Sequence, residues 1–160
     1  MKRDPAFDVG DTQLQTALAC KVASAIELLA DIARSFEPAA LASSLGAEDM
    51  VLTDLIARHA PAIEIFTLDT GRLHAETHRL LQRITDHYDL PVRVLYPDSE
   101  ALERLVAEHG INGFFNSVAN REACCEVRKV EPLRRALAGK RAWITGLRRA
   151  QSLSRASLPL

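Results

Sequence analysis

The sequence is poor in the residues that staple, stack or span. Only three of its 160 residues are cysteine, Cys20, Cys124 and Cys125, and two of these are neighbours. Adjacent cysteines make a poor disulfide, because closing so small a ring departs from ordinary S–S geometry. A disulfide scaffold is therefore excluded, and a reducing compartment fits. Aromatic residues make up 5% of the chain, so its arginines lack the stacking platforms on which single-stranded nucleic acids are usually held. No apolar run approaches the ~20 residues of a membrane span. The N-terminus, MKRDPAFDVGDTQ, has no apolar core of an export signal. These absences imply a cytoplasmic protein with neither membrane nor nucleic acid as a partner. Glycine is scarce too, at seven residues, and no stretch matches a Walker loop.

What is present suits a globular fold. The chain is 48% hydrophobic and 26% charged, and its length is that of one domain able to bury a core unaided. A net charge of −1 conceals an asymmetry: residues 1–120 hold 10 Lys/Arg against 18 Asp/Glu, whereas residues 121–160 hold 10 against 3. A basic segment beside an acidic body points to an anionic ligand or is balanced internally by acidic neighbours.

Apolar residues at near-helical spacing predict a long amphipathic helix over 12–36, and Cys20 within it is expected to be core. Pro38 ends it, and Ala39 to Ala42 read as a buried strand. The loop Ser43-Ser44-Leu45-Gly46 then opens a helix. That order aims backbone N–H groups and the positive helix end at a phosphate or sulfate, although a plain capping turn uses the same residues. A second strand is predicted over 63–68, ending in Asp69-Thr70-Gly71-Arg72, with a helix over 73–88. There His74 and His78 lie four apart, a spacing compatible with metal but lacking a third ligand. A third strand covers 91–96, and Asp98 or Ser99 caps a helix that stops at Gly110. Phe114 and Phe115 are expected to anchor a loop to the cysteines, and Pro132 to open a short helix. The fourth strand, 142–145, ends in Gly146 and an arginine-rich loop with Arg148, Arg149 and Arg155.

Four strand–helix alternations predict an α/β fold, a mostly parallel sheet covered on both faces. In such sheets ligands bind beyond the carboxyl ends of the strands, so the loops at 43–46, 69–72 and 146–149 converge on one crevice. Beside them, Cys124 and Cys125 read either as two soft ligands to an iron–sulfur cluster or as half-buried thiols on a helix. A cluster held by four cysteines needs more than this chain contains.

The segments SSLGAEDMVL, FTLDTGRL, CCEVRKVEPL and ITGLRRAQSLSRASLPL, in that order, resemble the adenylyl-sulfate and 3′-phosphoadenylyl-sulfate reductases. The resemblance runs from about residue 39 to the last. It implies an adenine-nucleotide α-hydrolase-like, PP-loop three-layer sandwich, with residues 1–160 as a single PP-loop reductase domain. It implies reduction of adenylyl sulfate to sulfite and AMP in sulfate assimilation and cysteine biosynthesis, with thioredoxin as donor. By the same resemblance Ser43, Ser44 and Gly46 lie against the phosphate–sulfate group, and Asp69, Thr70, Gly71 and Arg72 at the ribose and adenine. Arg148, Arg149 and Arg155 hold the anion through paired guanidinium bonds, and Lys129 offsets charge near substrate and cluster. Cys124 and Cys125 mark the subtype that carries a 4Fe-4S cluster and prefers adenylyl sulfate.

The family's second cysteine pair and its nucleophilic cysteine fall beyond these motifs and have no counterpart here. The chain is thus expected to be a truncated form that keeps the crevice but turns over poorly or not at all, and a homo-oligomer sharing a cluster is permitted. The alternatives are a 3′-phosphoadenylyl-sulfate reductase, a nucleotide-binding remnant without catalysis, and an ATP-activating PP-loop enzyme. The last departs in its loop, which is usually richer in glycine.

Overall fold

The computed structural model describes residues 8–88 and 90–147. Four short strands form one sheet, β1 (Ala39–Ala42), β2 (Glu64–Leu68), β3 (Val92–Leu95) and β4 (Ala142–Ile144), in the order β3-β2-β1-β4. Every pairing is parallel, with Leu41 opposite Ile65 and Ile144, and Phe66 opposite Arg93. A long helix, α1 (Asp8–Ser35), precedes β1, and the crossovers that parallel neighbours need begin with α2 (Ala47–His59), α3 (Ala75–His87) and α4 (Ser99–His109). A 3₁₀ turn (Gly113–Phe115), α5 (Val118–Cys125), a π-helical turn (Glu126–Val130) and α6 (Glu131–Leu137) then lead to β4.

Alternation along β1 and β2 separates two cores. Ala39, Leu41, Ile63 and Ile65 face α1 and α2, meeting Leu29, Leu55 and Ile56. Ala40 and Phe66 face the other way, with Leu95 of β3, onto Ala136, Leu133 and Leu137 of α6. The sheet is therefore the middle of three layers, as the alternation of elements implies. Leu41, Ile56, Ile63, Ile65 and Phe66 are almost completely buried, each worth about 1.5–3 kcal/mol of transfer free energy.

Two expectations need correction. Cys20 is exposed rather than core, as are Leu14 at 68% and Leu18 at 59%. For the two leucines the reason is length: 28 helical residues span about 42 Å, while the longest strand, with five, spans about 17 Å. Only the second half of α1 therefore has sheet and α2 beneath it. Cys20 lies about 180° around the helix from the buried Leu29, on its outer face. The cysteines ride on a helix, as one reading of them has it, and that helix runs on into α6, whose first turn holds Pro132 as expected. Pro132 cannot donate to the carbonyl four residues back, and its ring crowds that carbonyl. The π turn immediately before it, with Glu131 N donating to Glu126 O, lets the chain carry the proline without a break. The second correction is Phe115, which is 74% exposed; its ring meets that of Phe114, with centroids 4.2 Å apart, but is not buried as an anchor. Asp98 does cap α4, accepting from Ala101 N at 2.9 Å.

Candidate functional site

Above the carboxyl ends of β1, β2 and β4 lies a crevice of about 600 Å³. Its walls include Ser43, Ser44, Asp49, Thr70, Lys129 and Trp143. On the β1 side, Ser43 N extends the sheet by donating to Phe66 O at 2.8 Å, and Ser43 Oγ accepts from Leu45 N at 3.2 Å. Leu45 adopts φ +62°, an uncommon value for a residue with a branched side chain, and its side chain is buried. Ser44 donates from both N and Oγ to Asp49 Oδ2, each at 2.6 Å. The other oxygen, Asp49 Oδ1, accepts from Gly146 N at 3.0 Å. One carboxylate, 6% exposed, thus fastens the loop after β1 to the exit of β4. Gly146 is obligatory there, because a Cβ would stand 2.2 Å from Asp49 Oδ1.

The turn after β2 is held as firmly. Asp69 N donates to Leu95 O at 2.9 Å, and Asp69 Oδ1 accepts from Gly71 N at 2.8 Å, an Asx turn. Gly71 has φ +70°, where a side chain is disfavoured. Asp69 Oδ2 lies 3.0 Å from His78 Nε2. His74, by contrast, precedes the first turn of α3 as its N-cap. The two histidines therefore do not act as a metal pair: one ring is taken by Asp69, and the other stands outside the helix. Arg72 reaches across to Ile111 O and to Asn112 Oδ1, and its guanidinium lies 4.7 Å over the Phe114 ring.

A second hollow, of about 350 Å³, is lined by Thr70, Arg72, Leu73, Phe114, Arg121, Cys124, Cys125, Arg128 and Lys129. It shares Thr70, Leu73 and Lys129 with the crevice, so the two adjoin. Among the described residues four cations and no carboxylate line it, an arrangement that favours negative charge. Cys124 is half-buried and Cys125 exposed. Two accessible thiols side by side in a basic hollow are the right donors for a soft, negatively charged metal cluster. Among the described residues, however, no group of three or more His, Cys, Asp or Glu side chains is arranged to hold a metal ion.

Of the site residues expected from sequence, Ser43, Ser44, Thr70 and Lys129 line the crevice, and Gly46 and Asp69 shape its loops. Arg72, Cys124 and Cys125 line the adjoining hollow. Arg148, Arg149 and Arg155 lie outside the described residues. Two residues given no role by sequence prove central. Asp49 reads as an ordinary acidic residue in a first helical turn; its partner at Gly146 is 97 residues away. Arg128 is 9% exposed, and its Nη1 donates to Thr70 O at 2.5 Å. Its Nε is buried without an acceptor among the described residues, a situation that costs roughly 1–3 kcal/mol. Its position four residues after Cys124, on one helical face, is the only sequence signal it leaves.

Fold and site together define a three-layer parallel α/β domain whose polar loops, a lysine and two thiols meet at the carboxyl rim of the sheet. The chain belongs to the family described as the phosphoadenosine phosphosulfate reductase domain, whose model matches residues 38–160. It is 50% identical over 142 residues to an adenosine 5′-phosphosulfate reductase of Allochromatium vinosum, covering 89% of this chain and 56% of that one. It is 48% identical over 147 residues to the enzyme of that name from Burkholderia cepacia, covering 92% and 59%. The chain therefore spans somewhat over half the length of these relatives. Its fold matches the crystal structure of a phosphoadenylyl-sulfate reductase from Candida auris in a phosphate complex, with TM-score 0.67 and 23% identity, over 77% of this chain and 60% of that one.

Proposed function

We propose that this domain binds adenylyl sulfate in the crevice and serves its reduction to sulfite and AMP, with a dithiol protein such as thioredoxin as electron donor. The observation that carries the reading is the junction of the two cavities: Thr70, Leu73 and Lys129 border both the crevice and the hollow holding Cys124 and Cys125. A nucleotide anion seated against the loop at 43–46 and the start of α2 would meet helix N–H groups. Ser43, Ser44 and Gly46 would receive the phosphate–sulfate, and Asp69, Thr70, Gly71 and Arg72 would border the ribose and base. Lys129 would stand between substrate and thiols as a mobile cation, and Arg148, Arg149 and Arg155 would hold the anion. The names of the relatives, adenosine 5′-phosphosulfate reductase, support this substrate over its 3′-phosphorylated form.

Cys124 and Cys125 would hold two positions of a 4Fe-4S cluster. Such a cluster, when bound, supplies a soft, polarisable centre. Lys129 and Arg121 would offset its negative charge.

Calorimetric titration of the 160-residue chain with adenylyl sulfate, AMP and 3′-phosphoadenylyl sulfate tests the reading. Adenylyl sulfate is expected to bind best, and Lys129→Ala to weaken it about tenfold through loss of one charge-assisted contact. A folded chain that takes up neither adenylyl sulfate nor AMP at millimolar concentration would overturn the proposal.

A further inference from the structure

Arg128 stands apart from the other arginines among the described residues. It is buried, and among the described residues no carboxylate lies within ion-pair distance of it. Its position on the π turn just after the two cysteines is of the kind that recurs at functional sites. What it holds is a single peptide group. Thr70 O accepts from Arg128 Nη1, while the N–H of the same peptide, Gly71 N, donates to Asp69 Oδ1. Asp69 is held in turn by His78. The guanidinium also packs under Gly71, where a Cβ would come within 3.3 Å of Nη1. The Thr70–Gly71 peptide is thus gripped at both ends, by α3 through Asp69 on one side and by the cysteine-bearing helix on the other.

We infer that Arg128 is a positioning residue that couples the two cavities: displacement of the 69–72 turn by a nucleotide in the crevice is passed through the Thr70 carbonyl and Arg128 to Cys124 and Cys125. This rests on the proposed nucleotide site. The physical basis is that this buried guanidinium has Thr70 O as its acceptor, with its Nε buried and unpartnered among the described residues. Movement of Thr70 O therefore carries Arg128, and with it the turn of helix from which Cys124 and Cys125 project. Coupling of this kind is reciprocal and needs only that the linked element has different contacts in the two states.

The test is alkylation of Cys124 and Cys125 by iodoacetamide, followed by mass spectrometry, in a chain carrying Cys20→Ser, with and without AMP at a concentration shown by calorimetry to saturate each variant. In the parent, AMP is expected to slow alkylation about fivefold, the low end of ordinary site-to-site coupling. Arg128→Met is expected to abolish most of that difference with AMP still bound, and Arg128→Lys to restore part of it. His78→Ala, at the solvent-exposed end of the chain of contacts, is expected to reduce the difference and serves if Arg128→Met does not fold. If AMP does not bind the parent, both this inference and the proposed function fall. If AMP binds but alkylation is unchanged, or slows equally in the folded variants, only the inference falls.

Discussion

Asp49 offers the sharpest test of how the crevice is built. Its carboxylate accepts two hydrogen bonds from Ser44 at 2.6 Å and one from Gly146 N at 3.0 Å. Ser44 itself is exposed, so its hydroxyl can turn to water, which leaves two backbone donors dependent on Asp49. Asp49→Asn keeps the volume but retains one acceptor oxygen, and its amide nitrogen must face a donor. At about 1.5–3 kcal/mol per hydrogen bond to a charged group, the Asn variant loses about 2 kcal/mol and Asp49→Ala about 4. Urea denaturation should show a lower midpoint with an unchanged slope, and the thermal midpoint of the Asn variant should fall by about 6 °C for a chain of this size. Calorimetry should show AMP binding about tenfold weaker, because the loop no longer arrives preorganised. An Asn variant within about 0.5 kcal/mol of the parent, the scatter of neutral substitutions, would refute the reasoning.

Gly146→Ala drives a methyl group to 2.2 Å from Asp49 Oδ1, and is expected to destabilise by about 3 kcal/mol in the same denaturation assay. Lys140→Ala removes a partner of Glu64. Burial alone would raise the Glu64 pKa, but hydrogen bonds from Lys140 and Arg93 outweigh it and hold the carboxyl below its ordinary 4.5. A depressed carboxylate stabilises above its unfolded pKa and loses that stabilisation as pH falls through the folded one. The deficit of the variant, about 1 kcal/mol at pH 7, should therefore close as pH drops below 4.5. Arg72→Ala frees the Ile111–Asn112 segment and uncovers Phe114, so limited proteolysis should cut near residues 111–116 several times faster, in keeping with about 1 kcal/mol of lost local stability.

Much of the fold was legible because its signals are local. A run such as Ile63 to Leu68 is nearly continuous in apolar and β-branched residues, with only Glu64 and Thr67 polar, and so reads as a strand buried on both sides. Loops that follow such strands must gather at one rim, which is why Ser43, Thr70 and Gly146 could be brought together before any distance was known. The continuity of the cysteine helix with α6 was harder to see. Pro132 and the mixed polarity of residues 118–131 argue against a continuous helix, and only the π turn reconciles them. Spacing likewise shows that Leu14 and Leu18 share a helical stripe, but not whether the sheet reaches far enough to cover it.

From the sequence alone came the order of elements, the parallel sheet, the rim on which polar loops collect and the two thiols beside it. These follow from periodicity and chain connectivity, which neighbouring residues set. Only the tertiary structure decided that Asp49 fastens Ser44 to Gly146, that His78 turns to Asp69 and that Arg128 is buried beneath Gly71. Such contacts join residues distant along the chain, and whether a polar side chain is satisfied, solvated or stranded depends on which other elements pack over it.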